Sequence, residues 1–252
     1  MDQPEEKRAR WRLRDSAPIA ALRRRLHAQA LAPWRNLTRP VYASFADARR
    51  ALASTPPTAV RDEPTPVEVH DYPALFWMRE VLERGGTVLD LRGGTGAQYY
   101  AHRRGLAYPA SLRWIVVEEP AVVAQGRALA IERAATHLEF RDDVATVAAD
   151  VLYSSRLAFV EEPLAALLAP LSPRPALVVL SQLPVSEAPT HVTLHRTARG
   201  LEPRWQFQRA AMTASLAQLG YRRRDEWRCV EPRARVPTSD RPEHIGLCFT
   251  RG

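Results

Sequence analysis

The sequence predicts an α/β fold built on a doubly wound sheet of seven strands, and three observations carry this prediction. Short apolar runs alternate with stretches of helical periodicity. The run at 176–180 is apolar throughout, which is typical of a parallel strand covered on both faces. A glycine-rich turn at 93–96 follows the first run, and Glu118 closes the second. Together these features predict a Rossmann-like domain with an N-terminal helical extension.

The N-terminal region, residues 1–70, is expected to form a basic helical extension followed by a linker. Apolar residues recur at helical spacing over 19–31, and 45–52 is a second short helical segment. Prolines at 56, 57, 64 and 66 then favour an extended chain, because proline lacks a backbone donor. This extension is also a candidate lid over the domain at 71–252.

The second predicted domain, residues 71–252, alternates helices with strands. Asp71-Tyr72-Pro73 is typical of a helix start, and Gly85-Gly86 ends that helix. The later predicted helices are 97–104, 120–135, 164–168 and 206–219. The predicted strands are the run from Thr87, then 113–117, 137–140, 151–153, 176–180, 192–195 and 245–250.

The glycine-rich turn follows an acidic residue at a spacing that indicates the kind of nucleotide bound. A dinucleotide-binding turn that begins at Gly94 would need its third glycine at position 99, where Tyr99 stands. The run from Asp90 to Gly96 instead resembles the acid, apolar residue and G-x-G-x-G pattern of nucleotide-dependent methyltransferases. Arg92 stands at the first glycine, where a positive φ would strain it. Because S-adenosylmethionine carries no phosphate, the missing third glycine is tolerable for it. S-adenosylmethionine is the predicted cofactor.

Further segments extend the resemblance to one bacterial family; they are 114–118, 122–127, 138–140, 151–155 and Gly220-Tyr221. Over roughly residues 70 to 230 the chain is similar to class I S-adenosylmethionine-dependent methyltransferases that are associated with surface-polysaccharide and secondary-metabolite gene clusters. It departs from them at Arg92 and at 157–159, where Leu-Ala-Phe replaces a leucine-glutamine-tyrosine run. The resemblance implies the class I methyltransferase fold and methyl transfer to an acceptor.

The candidate site lies beyond the carboxyl ends of the strands, where open α/β sheets bind their ligands. Glu118 is expected to accept hydrogen bonds from both ribose hydroxyls, and Asp142 or its neighbour Asp143 from the adenine amine. The other residues predicted to bind the cofactor are Asp90, Gly93, Gly94, Gly96, Ser154 and Ser155. For the two serines, a role in capping or turning the chain is the alternative.

Methyl transfer needs a nucleophile held in line and often a base that removes its proton. The predicted catalytic residues are His191, as a base, and Tyr72 and Tyr99, as positioning groups. His102 is a second candidate base, and Tyr100 is a further positioning group. His191 and His195 are four residues apart, but on a strand that spacing spans about 13 Å. No metal site is predicted. Tyr72, Phe76 and Trp77 either form an aromatic lid over the sulfonium or belong to a helix packed on the sheet edge.

Charge and composition narrow the classes of partner. The net charge of +8 is concentrated in residues 1–60, which carry +7, whereas residues 61–219 carry −2. The sequence therefore predicts a small-molecule partner rather than a nucleic acid. Two cysteines are too few for a disulfide framework, and no apolar run has the length of a membrane span. The protein is expected to be cytoplasmic, and a homodimer is compatible with the sequence.

Three functions remain open at this point. The leading one is methyl transfer from S-adenosylmethionine to a small molecule or sugar in secondary metabolism or polysaccharide biosynthesis. In the second, an enzyme of the same fold cyclises S-adenosylmethionine itself to azetidine-2-carboxylate and releases methylthioadenosine. The third is a non-catalytic binding module, in which Arg92 blocks the site and the basic extension recruits a partner.

Overall fold

The computed structural model describes residues 41–52, 66–144, 147–197, 200–229 and 242–252. The predicted helix at 19–31 and most of the predicted linker lie outside these ranges. The described helices are α1 (Phe45–Ala51), α2 (Tyr72–Arg84), α3 (Ala97–Arg103), α4 (Pro120–Glu132), α5 (Leu164–Leu168) and α6 (Arg209–Ala217). The described strands are β1 (Thr87–Leu91), β2 (Arg113–Val117), β3 (Leu138–Arg141), β4 (Val151–Ser154), β5 (Leu177–Ser186), β6 (His191–Thr197), β7 (Gly200–Gln208), β8 (Tyr221–Arg228) and β9 (Glu243–Arg251).

The chain divides into two compact units, and the larger comprises residues 61–190 and 205–252. Its strands β3, β2, β1, β4 and β5 lie side by side in that order and are parallel. Strand β9 pairs antiparallel with β5, and β8 pairs antiparallel with β9. The last two residues of β7 pair with the end of β5. This mixed sheet confirms the predicted α/β class.

Alternation along the central strands divides the core into two layers, because successive side chains of a strand point to opposite faces. Leu89, Leu152 and Leu180 belong to the apolar cluster of one face. Their neighbours Val88, Val151, Val179 and Cys248 belong to the other, where α2 packs its Met78 and Leu82. Burial on both faces explains why apolar residues predominate in these strands.

The strand order reverses at β1, which pairs with β2 on one side and with β4 on the other. In sheets of this kind a reversal opens a crevice beyond the carboxyl ends of the two strands, because their following connections run to opposite faces. The turn after β1 and the residues that end β2, β3 and β4 therefore surround one location.

The smaller unit comprises residues 1–60 and 191–204. Ser44 caps α1 by accepting a hydrogen bond from the Asp47 amide at 3.1 Å. Tyr42 and Val192 exchange backbone hydrogen bonds of 2.8 and 3.0 Å, which attach the segment before α1 to β6. The predicted helix at 45–52 and the predicted strand at 192–195 are confirmed. The division into domains at residue 70 stays a prediction.

The predicted number of strands is wrong, since the described residues hold nine strands rather than seven. Residues 206–208 were expected to start a helix, but they complete β7. Strand β8 was not predicted, because three consecutive arginines at 222–224 hide any apolar alternation. It lies beside β9 at the edge of the sheet, where charged residues are common because they discourage pairing with another chain.

Within the described ranges, no helix combines the length and apolar character that crossing a bilayer requires. The same ranges contain no group of three or more histidine, cysteine or acidic side chains arranged to hold a metal ion.

Candidate functional site

The turn after β1 brings its backbone directly against a carboxyl group. At Gly93 an added Cβ would lie 2.4 Å from the Asp90 Oδ2 atom, so any side chain would collide with that carboxyl. Gly96 has a φ of +92°, which other residues rarely adopt. Its added Cβ would also lie 2.7 Å from the Leu138 Cδ2 atom. The two glycines therefore permit the turn to lie close to the Asp90 carboxyl and to the first residue of β3.

Asp90 is a buried carboxyl, and one of its oxygens makes no hydrogen bond to the described residues. The indole of Trp114 donates a 3.0 Å hydrogen bond to Oδ2, whereas Oδ1 has no partner among the described residues. Burial raises the pKa of Asp90 to about 7, the Glu118 charge adds to the rise, and the Trp114 hydrogen bond opposes it. A cationic ligand group at Oδ1 would favour the ionised form.

Glu118 directly follows β2, and its carboxylate connects the loop after β2 to the glycine turn after β1. Its side chain is fully buried. Oε1 accepts a hydrogen bond from the Gly94 amide at 3.2 Å. Oε2 accepts one from the Glu119 amide at 3.1 Å and one from the Arg92 guanidinium at 2.9 Å. The acidic residue predicted to hold ribose thus contacts the glycine turn directly.

Arg92 has the strained backbone that the sequence predicts, with a φ of 59°. Its Nη1 atom lies 2.9 Å from Glu118 Oε2 and 2.8 Å from Glu119 Oε1. The Arg92 side chain is only 14% exposed, whereas that of Glu119 is 62% exposed. The guanidinium therefore bridges a buried and an exposed carboxylate at the site.

Asp142 follows β3 at the same edge of the sheet as Glu118. The Glu118 amide donates to the Arg141 carbonyl at 3.0 Å, which places the next residue, Asp142, beyond the neighbouring strand end. Asp142 and Asp143 are exposed and line a groove of about 820 Å³ between α4 and β3. Both acids are thus accessible, and the assignment to the adenine amine stays a prediction.

Ser154 at the end of β4 already uses its hydroxyl within the fold. Its Oγ donates to the Leu91 carbonyl at 2.7 Å and accepts from the Arg156 amide at 3.2 Å. The first bond connects the ends of β1 and β4, and the second stabilises the turn after β4. Both fit the alternative role for Ser154, in which it turns or caps the chain. Ser155 is half-buried. Contact of either serine with a cofactor stays a prediction.

The candidate catalytic residues Tyr99 and His102 lie in one buried aromatic cluster on α3. The Tyr99 ring packs against Tyr108 and Trp114, and its hydroxyl lies 3.5 Å from Arg103. Burial raises the pKa of Tyr99. His102 is fully buried, and burial lowers its pKa to about 4, so its imidazole is neutral at pH 7.

The structure does not bring Tyr72 into this aromatic cluster. Tyr72 is the first residue of α2 and is 58% exposed. His191 is the first residue of β6 in the smaller unit, and His195 lies on the same strand, as predicted. Catalytic roles for Tyr72 and His191, like that for Tyr99, stay predictions.

A second buried carboxyl, Asp71, was identified from the sequence only as a helix start. It is 3% exposed, and Ser181 Oγ donates to its Oδ1 at 3.1 Å. Burial raises the pKa of Asp71. Burial also raises the pKa of Tyr153 well above its ordinary value, and the charges of Asp71 and Asp90 act in the same direction.

The backbone next to Ser181, the hydrogen-bond partner of Asp71, is strained. Gln182 has a φ of 56° and follows Ser181 at a register shift between β5 and β9. Bulges and strained residues are common beside active sites. The only sequence signal for Asp71 is an acid directly before an apolar helix, which is also how an ordinary helix start is recognised.

No family model matches the chain, and no curated protein does. Solved structures do. A 1,6-didemethyltoxoflavin-N1-methyltransferase from Burkholderia thailandensis, bound to 1,6-didemethyltoxoflavin and S-adenosylhomocysteine, is 17% identical, with a TM-score of 0.51 over 86% of this chain and 93% of that one. The N-terminal domain of EvdMO1 with bound S-adenosylhomocysteine is 19% identical, with a TM-score of 0.50 over 77% and 83%.

A third solved structure is the glycopeptide N-methyltransferase MtfA, complexed with S-adenosylmethionine. It is 13% identical, and the match covers 77% of this chain and all of MtfA, with a TM-score of 0.50. At these identities the likeness concerns the fold. The chain therefore has the Rossmann-like class I methyltransferase fold, as the sequence predicts.

Proposed function

We propose that this protein binds S-adenosylmethionine and transfers its methyl group to a small molecule or sugar. The observation that carries the proposal is the direct hydrogen bond between Gly94 of the turn and the buried Glu118 carboxylate, together with the unpartnered buried oxygen of Asp90. Solved structures of the same fold, bound to S-adenosylmethionine or S-adenosylhomocysteine, support it.

The residues present fit such a cofactor. Asp90 Oδ1 is an unused acceptor in a buried place, suited to the amino group of the methionine part. Gly93 lets the backbone lie close by, since no Cβ fills that space. Glu118 would hold the ribose, and Asp142, at the next strand end, the adenine amine. Gly96, Ser154 and Ser155 complete the set proposed to surround the cofactor.

The cofactor, when bound, supplies a methyl group activated by its sulfonium. The chain then has to orient the acceptor, exclude water and accept the acceptor's proton. Asp71 is a candidate for the proton, because burial raises its pKa towards the range in which a base is effective. It joins the predicted base His191, and Tyr72 and Tyr99 are proposed to position the acceptor.

The finer role that we propose lies in secondary-metabolite or polysaccharide biosynthesis in the cytoplasm. The family resemblance supports it, as do similar structures named for toxoflavin and glycopeptide methyltransferases. Residues 1–70 are proposed as an extension and lid beside the cofactor-binding domain at 71–252. The proposed partner is a small molecule, and a homodimer is compatible with this role.

The test is to incubate the purified full chain with S-adenosylmethionine, titrate binding by calorimetry and identify products by mass spectrometry. The proposal predicts stoichiometric binding without turnover when S-adenosylmethionine is present alone. It also predicts that S-adenosylhomocysteine forms when small-molecule or sugar acceptors are added. Methylthioadenosine formed without any acceptor would instead identify the cyclase. Absence of binding would contradict both the methyltransferase and the cyclase and would favour a non-catalytic binding module.

A further inference from the structure

Glu118 does not have enough free acceptor positions for a ribose. An ionised carboxylate offers about four lone-pair positions, two on each oxygen. Oε2 already accepts from the Glu119 amide and from Arg92, and Oε1 accepts from the Gly94 amide. One position remains, whereas the two hydroxyls of a ribose donate two hydrogen bonds.

Of the three donors, only Arg92 can leave without a change in the fold. The amides of Gly94 and Glu119 are fixed by the backbone of the turn and of the residue after Glu118. The Arg92 guanidinium belongs to a long side chain with five N–H donors. Its Nη1 atom already lies 2.8 Å from Glu119 Oε1, so a second carboxylate holds it when it releases Glu118.

The backbone of Arg92 indicates that its side chain has a purpose. At a φ of 59° a glycine would be unstrained, whereas arginine is strained. The same position thus combines an unfavourable backbone with an ion pair to the carboxylate that the site needs. A residue chosen only for the turn would be glycine.

We propose that Arg92 competes with the ribose for Glu118, and that Glu119 is the carboxylate onto which Arg92 moves when a nucleoside with free 2′ and 3′ hydroxyls binds. This inference rests on the proposed function. Arg92 and Glu119 together then set the affinity for the nucleoside, and neither touches the acceptor.

The experiment is calorimetric titration of the full chain with S-adenosylhomocysteine, in the wild type, Arg92→Gly, Glu119→Gln and the double variant. We expect Arg92→Gly to bind about tenfold more tightly, because a hydrogen bond to a charged group is freed. Glu119→Gln should bind several-fold more weakly, since Arg92 loses its second partner. The double variant should equal Arg92→Gly, because Glu119 matters only through Arg92.

Two controls make the result specific. The 2′-deoxy analogue of S-adenosylhomocysteine donates one ribose hydrogen bond fewer, so Arg92→Gly should gain little affinity for it. Arg113→Ala removes an exposed arginine that pairs with Glu139 at 2.8 Å on the neighbouring strands, and it should leave the affinity unchanged. Thermal melting of each variant verifies that it is folded.

Equal affinities of wild type and Arg92→Gly would overturn the inference and leave the proposed function intact. If neither protein binds S-adenosylhomocysteine, the proposed function fails as well.

Discussion

Asp90 shows how a single buried group links the candidate site to stability. Its carboxyl is enclosed by the glycine turn and by Trp114, and burial raises its pKa from 3.8 to about 7. The unfolded chain ionises Asp90 near pH 4, whereas the folded chain keeps it protonated until about pH 7. Stability that is present below pH 4 is therefore lost as the pH rises through this interval.

Asp90→Asn removes this loss, because the amide keeps an acceptor for Trp114 and never ionises. We expect the variant to unfold with a free energy up to roughly 4 kcal/mol higher than the wild type at pH 7, with the difference vanishing near pH 4. Urea unfolding of both proteins between pH 4 and 8 measures it. A difference that does not depend on pH would contradict the raised pKa.

The residue scale also shows what the sequence could predict of the site. The spacing from Asp90 to Gly96 and on to Glu118 identified groups that the structure joins by hydrogen bonds. The position of Arg92 on two carboxylates depends on side-chain geometry that spacing does not determine. Asp71 was missed because its partner Ser181 is 110 residues away, and no local pattern records that contact.

At the scale of elements, the turn between β1 and α3 depends on the missing side chain of Gly93. In Gly93→Ala the new Cβ would lie 2.4 Å from Asp90 Oδ2, so the turn or the carboxyl must shift. We expect a loss of about 1–3 kcal/mol in the free energy of unfolding. Gly105→Ala is the matched control, since its nearest atom would lie 4.0 Å away, and denaturant unfolding should barely change. Equal losses for the two variants would contradict this account.

Helix α2 is fastened to the sheet by an indole. Trp77 Nε1 donates to Asp225 Oδ2 of β8 at 2.8 Å, and Trp77→Phe removes that bond. We expect thermal unfolding to report a loss of about 1 kcal/mol, because the carboxylate is partly solvated. Phe76→Leu, at a neighbouring position that is 69% exposed, should change stability by less than about 0.5 kcal/mol. No effect of Trp77→Phe would mean that this contact does not hold α2.

In the elements that the sequence predicts correctly, the local sequence pattern and the burial in the folded structure indicate the same secondary structure. Strands β1 and β4 are buried, and α2 has Pro73 in its first turn. Strand β8 is not predicted, because it lies at the edge of the sheet and most of its side chains are charged and exposed. The sequence predicts a helix over the last part of β7, since Gln206, Phe207 and Gln208 carry no turn signal before α6.

At the scale of the whole molecule, the strand order explains why distant segments meet. The reversal at β1 places the turn at 93–96 beside Glu118, and β4 brings Tyr153 opposite Asp90. The alternation of helices and strands predicted this fold class, whereas pairing of β9 between β5 and β8 depends on long-range contacts.

The measurement that tests the central claim most directly is calorimetric titration of S-adenosylhomocysteine into the wild type and Glu118→Ala. We predict saturable one-to-one binding to the wild type. The loss in Glu118→Ala should be about 1.5–3 kcal/mol for each hydrogen bond to the carboxylate. Glu83→Ala, on the exposed surface of α2, serves as the folded control and should bind like the wild type. Equal affinity of Glu118→Ala and the wild type, or no binding to either, would contradict the claim that Glu118 and the glycine turn form a nucleoside site.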